Sequence, residues 1–200
     1  MPKPSQICCG SRKTQASIGI GRIAQKSETP RLAMVTMKMS EKTIDIQIDY
    51  LDPQAADVKS LIAVSDNYYD GLYPEDSNHL EALDDLDKAN VLFIGCRVDG
   101  VLVASGAAKL MDDDDNYAEI KRVFVLDDYR GRGLSARIMN TLETESKKRG
   151  IWLFRLETGV RQPEALGLYR KLGYHERGPY GAYGPDPLSV FMEKQHSVAE

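Results

Sequence analysis

The sequence predicts an α/β domain built on a mixed sheet. Three observations carry this reading. Val91 to Val98 and Val101 to Met111 are two apolar runs joined by Asp99-Gly100, a two-residue hairpin signal. Tyr117 to Leu126 is a further strand, and a glycine-rich loop then opens a long amphipathic helix. Finally Trp152 to Glu157 reads as a buried strand followed by a short helix, Pro163 to Leu172. Hairpin-linked strands followed by strand–helix units suit one mixed sheet covered by helices.

The remaining elements follow in order. Thr43 to Tyr50 alternates apolar and polar residues (Ile44, Ile46, Ile48) and reads as a strand. Asp52-Pro53 starts a helix whose inner face carries Val58, Leu61, Ile62 and Ser65; the Tyr-rich stretch Asn67 to Pro74 breaks it. A shorter helix is expected over about Ser77 to Leu86, with Leu80, Leu83 and Leu86 inward. The helix after the glycine loop runs from about Leu134 to Arg149, with Leu134, Ile138, Met139 and Leu142 toward the core and Gly150 as its left-handed cap. A Gly/Pro/Tyr-rich loop, Gly178 to Pro187, leads to a last strand, Leu188 to Glu193.

Composition narrows the function. Residues 1–40 hold seven Lys/Arg and one acid, a balance of +6; the whole chain is −4, which leaves −10 on residues 41–200. An acidic body argues against nucleic acid as the main partner and suits an amine-bearing one. No run approaches the ~18 apolar residues of a membrane span. The cysteines (Cys8, Cys9, Cys96) form neither a disulfide framework nor a zinc pattern, so a reducing, cytoplasmic setting is expected, with Cys96 a core thiol. Residues 1–42 read as an extension, open between disorder, a misassigned start at Met34, Met37 or Met39, and a targeting segment. Residues 43–196 form the domain. Asp112 to Asp115 fail the calcium-loop template, because Tyr117 and Val123 stand where Gly and Glu are needed, so no metal is expected.

The segment Asp128 to Met139 carries the clearest chemistry. Gly131 and Gly133 sit where strand turns into helix, with Arg130 and Arg132 beside them. Such a loop presents backbone N–H groups and the positive end of a helix dipole, an arrangement suited to phosphate or pyrophosphate. A P-loop hydrolase is a poor match, because the loop lacks the Gly-Lys-Ser/Thr ending.

The order A-E-I-K-R-V-F-V (Ala118 to Val125), R-G-R-G-L-S, and L-Y-R-K-L-G-Y (Leu168 to Tyr174) resembles the GNAT superfamily of acyl-CoA-dependent N-acetyltransferases over about residues 43–194. The resemblance implies a mixed, mostly antiparallel sheet of six to seven strands flanked by about four helices. It implies acetyl-CoA as donor, its pyrophosphate on Arg130, Gly131, Arg132, Gly133, Leu134 and Ser135. Asp128 departs from the usual Gln/Arg that opens this signature. The pantetheine arm would run along Val123, Phe124 and Val125, and Gln162 stands where many relatives carry an Asn. Consecutive Lys121 and Arg122 break the alternation and are compatible with a bulge.

The implied reaction is direct attack of an amine on the thioester. Glu119 is the expected base, with Glu157 its rival or the binder of a cationic acceptor; Tyr169 is the expected proton donor to the departing thiolate. Tyr180 and Tyr183 are expected to rim the acceptor, a small-molecule amine or amino-terminal group. His175 reads as structural. A homodimer is compatible with the family, and a non-catalytic acyl-CoA-binding module is the alternative function. No motif specifies the acceptor.

Overall fold

Apolar alternation in the first strand and continuous apolar runs in the next two dictate strands that pair as a meander. A computed structural model describes residues 44–74, 80–112 and 115–197. Strands β1 (Ile46–Tyr50), β2 (Val91–Val98), β3 (Val101–Met111) and β4 (Tyr117–Val125) lie side by side in antiparallel order. Asp99 and Gly100 both take positive φ in the β2–β3 turn, as the hairpin signal requires. The sheet continues through β5 (Leu153–Gly159), β7 (Ser189–Gln195) and β6 (His175–Arg177), giving the seven-strand order β1-β2-β3-β4-β5-β7-β6. Only β4 and β5 are parallel neighbours, and they pair just from Tyr117–Leu153 to Ile120–Leu156.

Helices cover both faces. Helix α1 (Ala56–Asp70) buries Val58, Leu61, Ile62 and Ser65 against Phe93, Leu102, Ala107 and Phe124. On the other face α2 (Leu134–Lys147) seats Leu134, Ile138, Met139 and Leu142 over Ile94, Val103, Ala118 and Ile120. Helix α3 (Pro163–Lys171) shares that layer through Tyr169 and the half-buried Ala165, Leu166 and Leu168. A buried carboxylate ties the layer down: Glu143 of α2 accepts from Tyr174 Oη (3.1 Å), Lys194 Nζ (2.8 and 3.0 Å) and faces His196 Nε2 at 2.9 Å.

Three expectations change. The described residues hold three α-helices, not about four. The expected helix to Leu86 is, over its described part, a 3-10 turn, Leu83–Asp87, with Leu86 buried. One fully buried residue, Leu86, and a half-buried Leu83 in so short and Asp-rich a segment do not offset the cost of helix nucleation. Helix α1 does not stop at Asn67 but runs to Asp70, because the inward spacing of Val58, Ile62 and Ser65 continues at Tyr69. Strand β6 was not anticipated; three residues with no buried side chain carry no pattern. The extension over residues 1–42 lies outside the described residues, as do Cys8, Cys9, Asp113 and Asp114. No described helix is long and apolar enough to cross a membrane, and no described group of His, Cys, Asp or Glu is placed to hold a metal.

Candidate active site

The site begins at a break in the sheet. After Ile120 strand β4 leaves β5, and on its other side its register against β3 slips between Ser105 and Ala107. The slip is the bulge expected at Lys121-Arg122, and Arg122 takes φ +55° there. A non-glycine residue in this region is strained and needs outside support. The support is visible. Arg122 pairs with Asp66 of α1, donates from Nε to the Glu81 carbonyl at 2.7 Å, and its own carbonyl accepts from Ser105 Oγ at 3.3 Å.

Two cavities flank the splayed strand. The larger, about 420 Å³, runs from Gly131, Gly133, Leu134 and Ser135 past Val123, Phe124 and Val125 to Gln162 and Tyr169. Its floor is the loop before α2. Gly131 and Gly133 both sit at φ +74°, and the space where a Cβ would stand is open at each. Glycine is therefore required by the backbone, and the open face leaves room for a ligand to touch the main chain. No side chain caps the first turn of α2, so its N–H groups are available to an anion. Arg130 lines the same cleft, its guanidinium 4.9 Å from the Tyr68 ring and 2.9 Å from Asp127. The residues present fit the pyrophosphate and pantetheine of a coenzyme A.

The smaller cavity, about 80 Å³, lies beside it and is lined by Tyr73, Glu81, Lys121, Glu157, Gly159 and others. The two share one wall: Tyr69, Val123, Gln162, Ala165 and Tyr169. Burial keeps the Tyr169 phenol well above its ordinary pKa, with Tyr69 and Glu157 adding to the effect. Burial likewise pushes Tyr69 up to about 12. Tyr69 donates to the Val123 carbonyl at 3.2 Å. Thr158 Oγ1 donates to Gln162 Oε1 at 3.0 Å, and Ser189 Oγ donates to Glu157 Oε1 at 2.6 Å.

The expected residues divide accordingly. Val123, Phe124, Val125, Arg130, Gly131, Gly133, Leu134, Ser135, Gln162 and Tyr169 all line the larger cleft, and Glu157 lines the smaller cavity. Four do not line either one. Arg132 folds back on its own loop, over the Tyr129 ring at 4.9 Å and onto the Asp128 carbonyl at 2.9 Å. Glu119 lies under the Gly178–Pro187 loop, where Tyr180 Oη (3.1 Å) and Tyr183 Oη (2.7 Å) both donate to its Oε1. Tyr180 and Tyr183 thus hold Glu119 and pack with Phe191. Burial, then the Glu119 charge, raises both phenols. Lys121 links the two regions: it lines the smaller cavity, sits 3.4 Å from Glu119, and donates to Tyr183 Oη at 2.5 Å. Sequence reasoning missed Tyr68, Tyr69 and Tyr73. The signal for Tyr69 was its helical spacing from Ser65; for the other two there was none.

A seven-stranded, mostly antiparallel sheet splayed beside a glycine loop, with a larger cleft meeting a second cavity, defines the acyl-CoA acyltransferase fold class. The chain belongs to the acetyltransferase (GNAT) family, whose model matches residues 58–174. Among its relatives is the IAA acetyltransferase of Azospirillum brasilense, 44% identical over 137 residues, covering 68% of this chain and 89% of that protein. Another is the uncharacterized N-acetyltransferase YsnE of Bacillus subtilis, 30% identical over 124 residues, covering 61% and 81%. A crystal structure assigned to the acyl-CoA N-acyltransferases, from Klebsiella pneumoniae, is 33% identical with a TM-score of 0.64, covering 75% of this chain and 97% of that one. The PaiA N-acetyltransferase of Thermoplasma acidophilum, solved with coenzyme A, has the same fold (TM-score 0.60, 21% identity, covering 76% and 99%).

Proposed function

We propose that this protein transfers the acetyl group of acetyl-CoA to the primary amine of a small molecule or an amino-terminal group, by direct attack within a ternary complex. One observation carries the reading: the cleft that fits a coenzyme A and the smaller, carboxylate-bearing cavity meet at a single wall containing Tyr169. When bound, acetyl-CoA supplies an activated thioester. The protein's residues supply the rest. Glu157 faces the smaller cavity, where it attracts an ammonium and takes the proton that the attacking nitrogen must lose. Glu119 communicates with that cavity through Tyr183 and Lys121. A backbone N–H near Val123 serves the developing oxyanion. Tyr169, held protonated by burial, gives its proton to the departing sulfur. The name of the Azospirillum relative, IAA acetyltransferase, supports acetyl transfer. Cys96 is buried and burial pushes its thiol up, which suits a core thiol and not a nucleophile.

The test is acetyl-CoA binding by calorimetry together with CoA release across a panel of amines. Tyr169→Phe is expected to lower kcat by roughly 10²-fold or more while acetyl-CoA affinity stays within about twofold. Unchanged turnover removes Tyr169 from the mechanism. Binding without release by any amine favours the non-catalytic module.

A further inference from the structure

We propose that Tyr73 sets the size limit of the acceptor cavity, so that the reacting end of the acceptor is a slim, unbranched alkylamine and bulky aryl or branched amines are refused. The inference rests on the acetyl-transfer reading above and goes on to name the acceptor class and the residue that selects it.

The cavity is small. Its volume of about 80 Å³ is about half the ~150 Å³ of a cavity that admits a benzene, which leaves room for a short chain. Tyr73 forms one wall and is itself buried. Its ring lies directly on Gly159, the last residue of β5, so closely that a Cβ at that position would overlap the phenol oxygen and ring carbons. Glycine at 159 is thus the feature that lets an aromatic side chain reach this depth.

The ring is also fastened at both ends. The Arg161 backbone N–H donates to Tyr73 Oη at 2.9 Å. The Arg161 guanidinium donates to the Leu72 carbonyl at 2.5 Å and lies 5.9 Å from the Tyr73 ring centroid. At the near end, Tyr73 N–H donates to the Tyr69 carbonyl at 3.0 Å, which ties the wall to α1. A wall held by its hydroxyl, its main chain and a stacked cation does not swing aside for a larger guest. The charged groups on the lining suit an ammonium: Glu157 and Glu81 are present, and Glu81 is already bonded to Lys109 at 2.8 Å.

The experiment measures kcat/KM by CoA release at saturating acetyl-CoA for n-butylamine, sec-butylamine and benzylamine. The wild type is expected to favour n-butylamine over benzylamine by about 10-fold or more, the scale at which a tight pocket discriminates. Tyr73→Ala and Tyr73→Val should both bring that ratio close to unity, while Tyr73→Phe, which keeps the ring, should hold it. Calorimetry with acetyl-CoA accompanies each variant and is expected to stay within about twofold, reporting an intact donor side; if the Ala variant does not fold, the Val variant gives the reading. CoA release with no preference in the wild type, or a preference unmoved in the folded small variants, overturns this inference alone. No release with any amine overturns the acetyl-transfer reading and this inference together.

Discussion

Glu119 and Glu157 stand on neighbouring parallel strands, yet their partners differ. Glu119 is enclosed by two tyrosine hydroxyls and Lys121; Glu157 faces a cavity and accepts from Ser189. Glu157→Gln is therefore expected to lower kcat/KM for the amine by roughly 10²-fold. Glu119→Gln should act chiefly on stability, costing about 1–3 kcal/mol because a buried hydrogen-bonded carboxylate is exchanged for an amide. Steady-state kinetics beside thermal unfolding separates the two, and a larger kinetic loss at Glu119 would reverse their roles. Tyr169 and the glycine loop were legible in the sequence because each sits in a local motif. The surroundings of Glu119 were not, since Tyr180 and Tyr183 lie 61 and 64 residues further along and no local pattern joins them.

Among the elements, β4 is the one that makes the site. Its strand character was readable from apolar alternation, and its bulge from two consecutive polar residues. What the pattern did not carry was the support for the bulge, which comes from Asp66 at the far end of α1 and from the Glu81 carbonyl. Arg122 both adopts the strained conformation and gathers that support. Arg122→Ala should destabilise the fold by about 2–4 kcal/mol, combining lost charged hydrogen bonds with an alanine at positive φ. Arg122→Gly loses the same bonds but relieves the backbone, so it should recover about 1 kcal/mol relative to Ala. Urea unfolding of the pair checks the order; an equally stable or more stable alanine variant would mean that φ +55° carries no strain. The length of α1 teaches the same lesson about legibility. Its last turn is rich in tyrosine, a residue of middling helix propensity, yet packing of Tyr69 against Phe124 (6.4 Å between rings) holds it helical.

At the scale of the whole molecule, tyrosines are the shared currency of its interior. Tyr69, Tyr73, Tyr169, Tyr174, Tyr180 and Tyr183 all have phenols raised above the usual 10, burial being the first cause in each. Below about pH 10 folded and unfolded chains hold these protons equally. Above it the unfolded chain releases them first, so the folded state binds more protons and stability falls as pH rises. Unfolding is expected to steepen above about pH 10, with these six rings ionising together with the loss of structure; ultraviolet absorbance of tyrosinate set against circular dichroism measures both. Six smooth titrations without unfolding would contradict the buried placement. The order of strands has a further consequence. Strand β7, made after every other strand, lies between β5 and β6 and not at the margin. A growing chain on the ribosome therefore keeps an unsealed seam beside β5 until residues 189–195 emerge. The smaller cavity takes Glu157, Thr158 and Gly159 from β5, and it shares Ala165 and Tyr169 of α3 with the larger cleft, so the wall between the two is secured only as synthesis of the domain reaches its final strand.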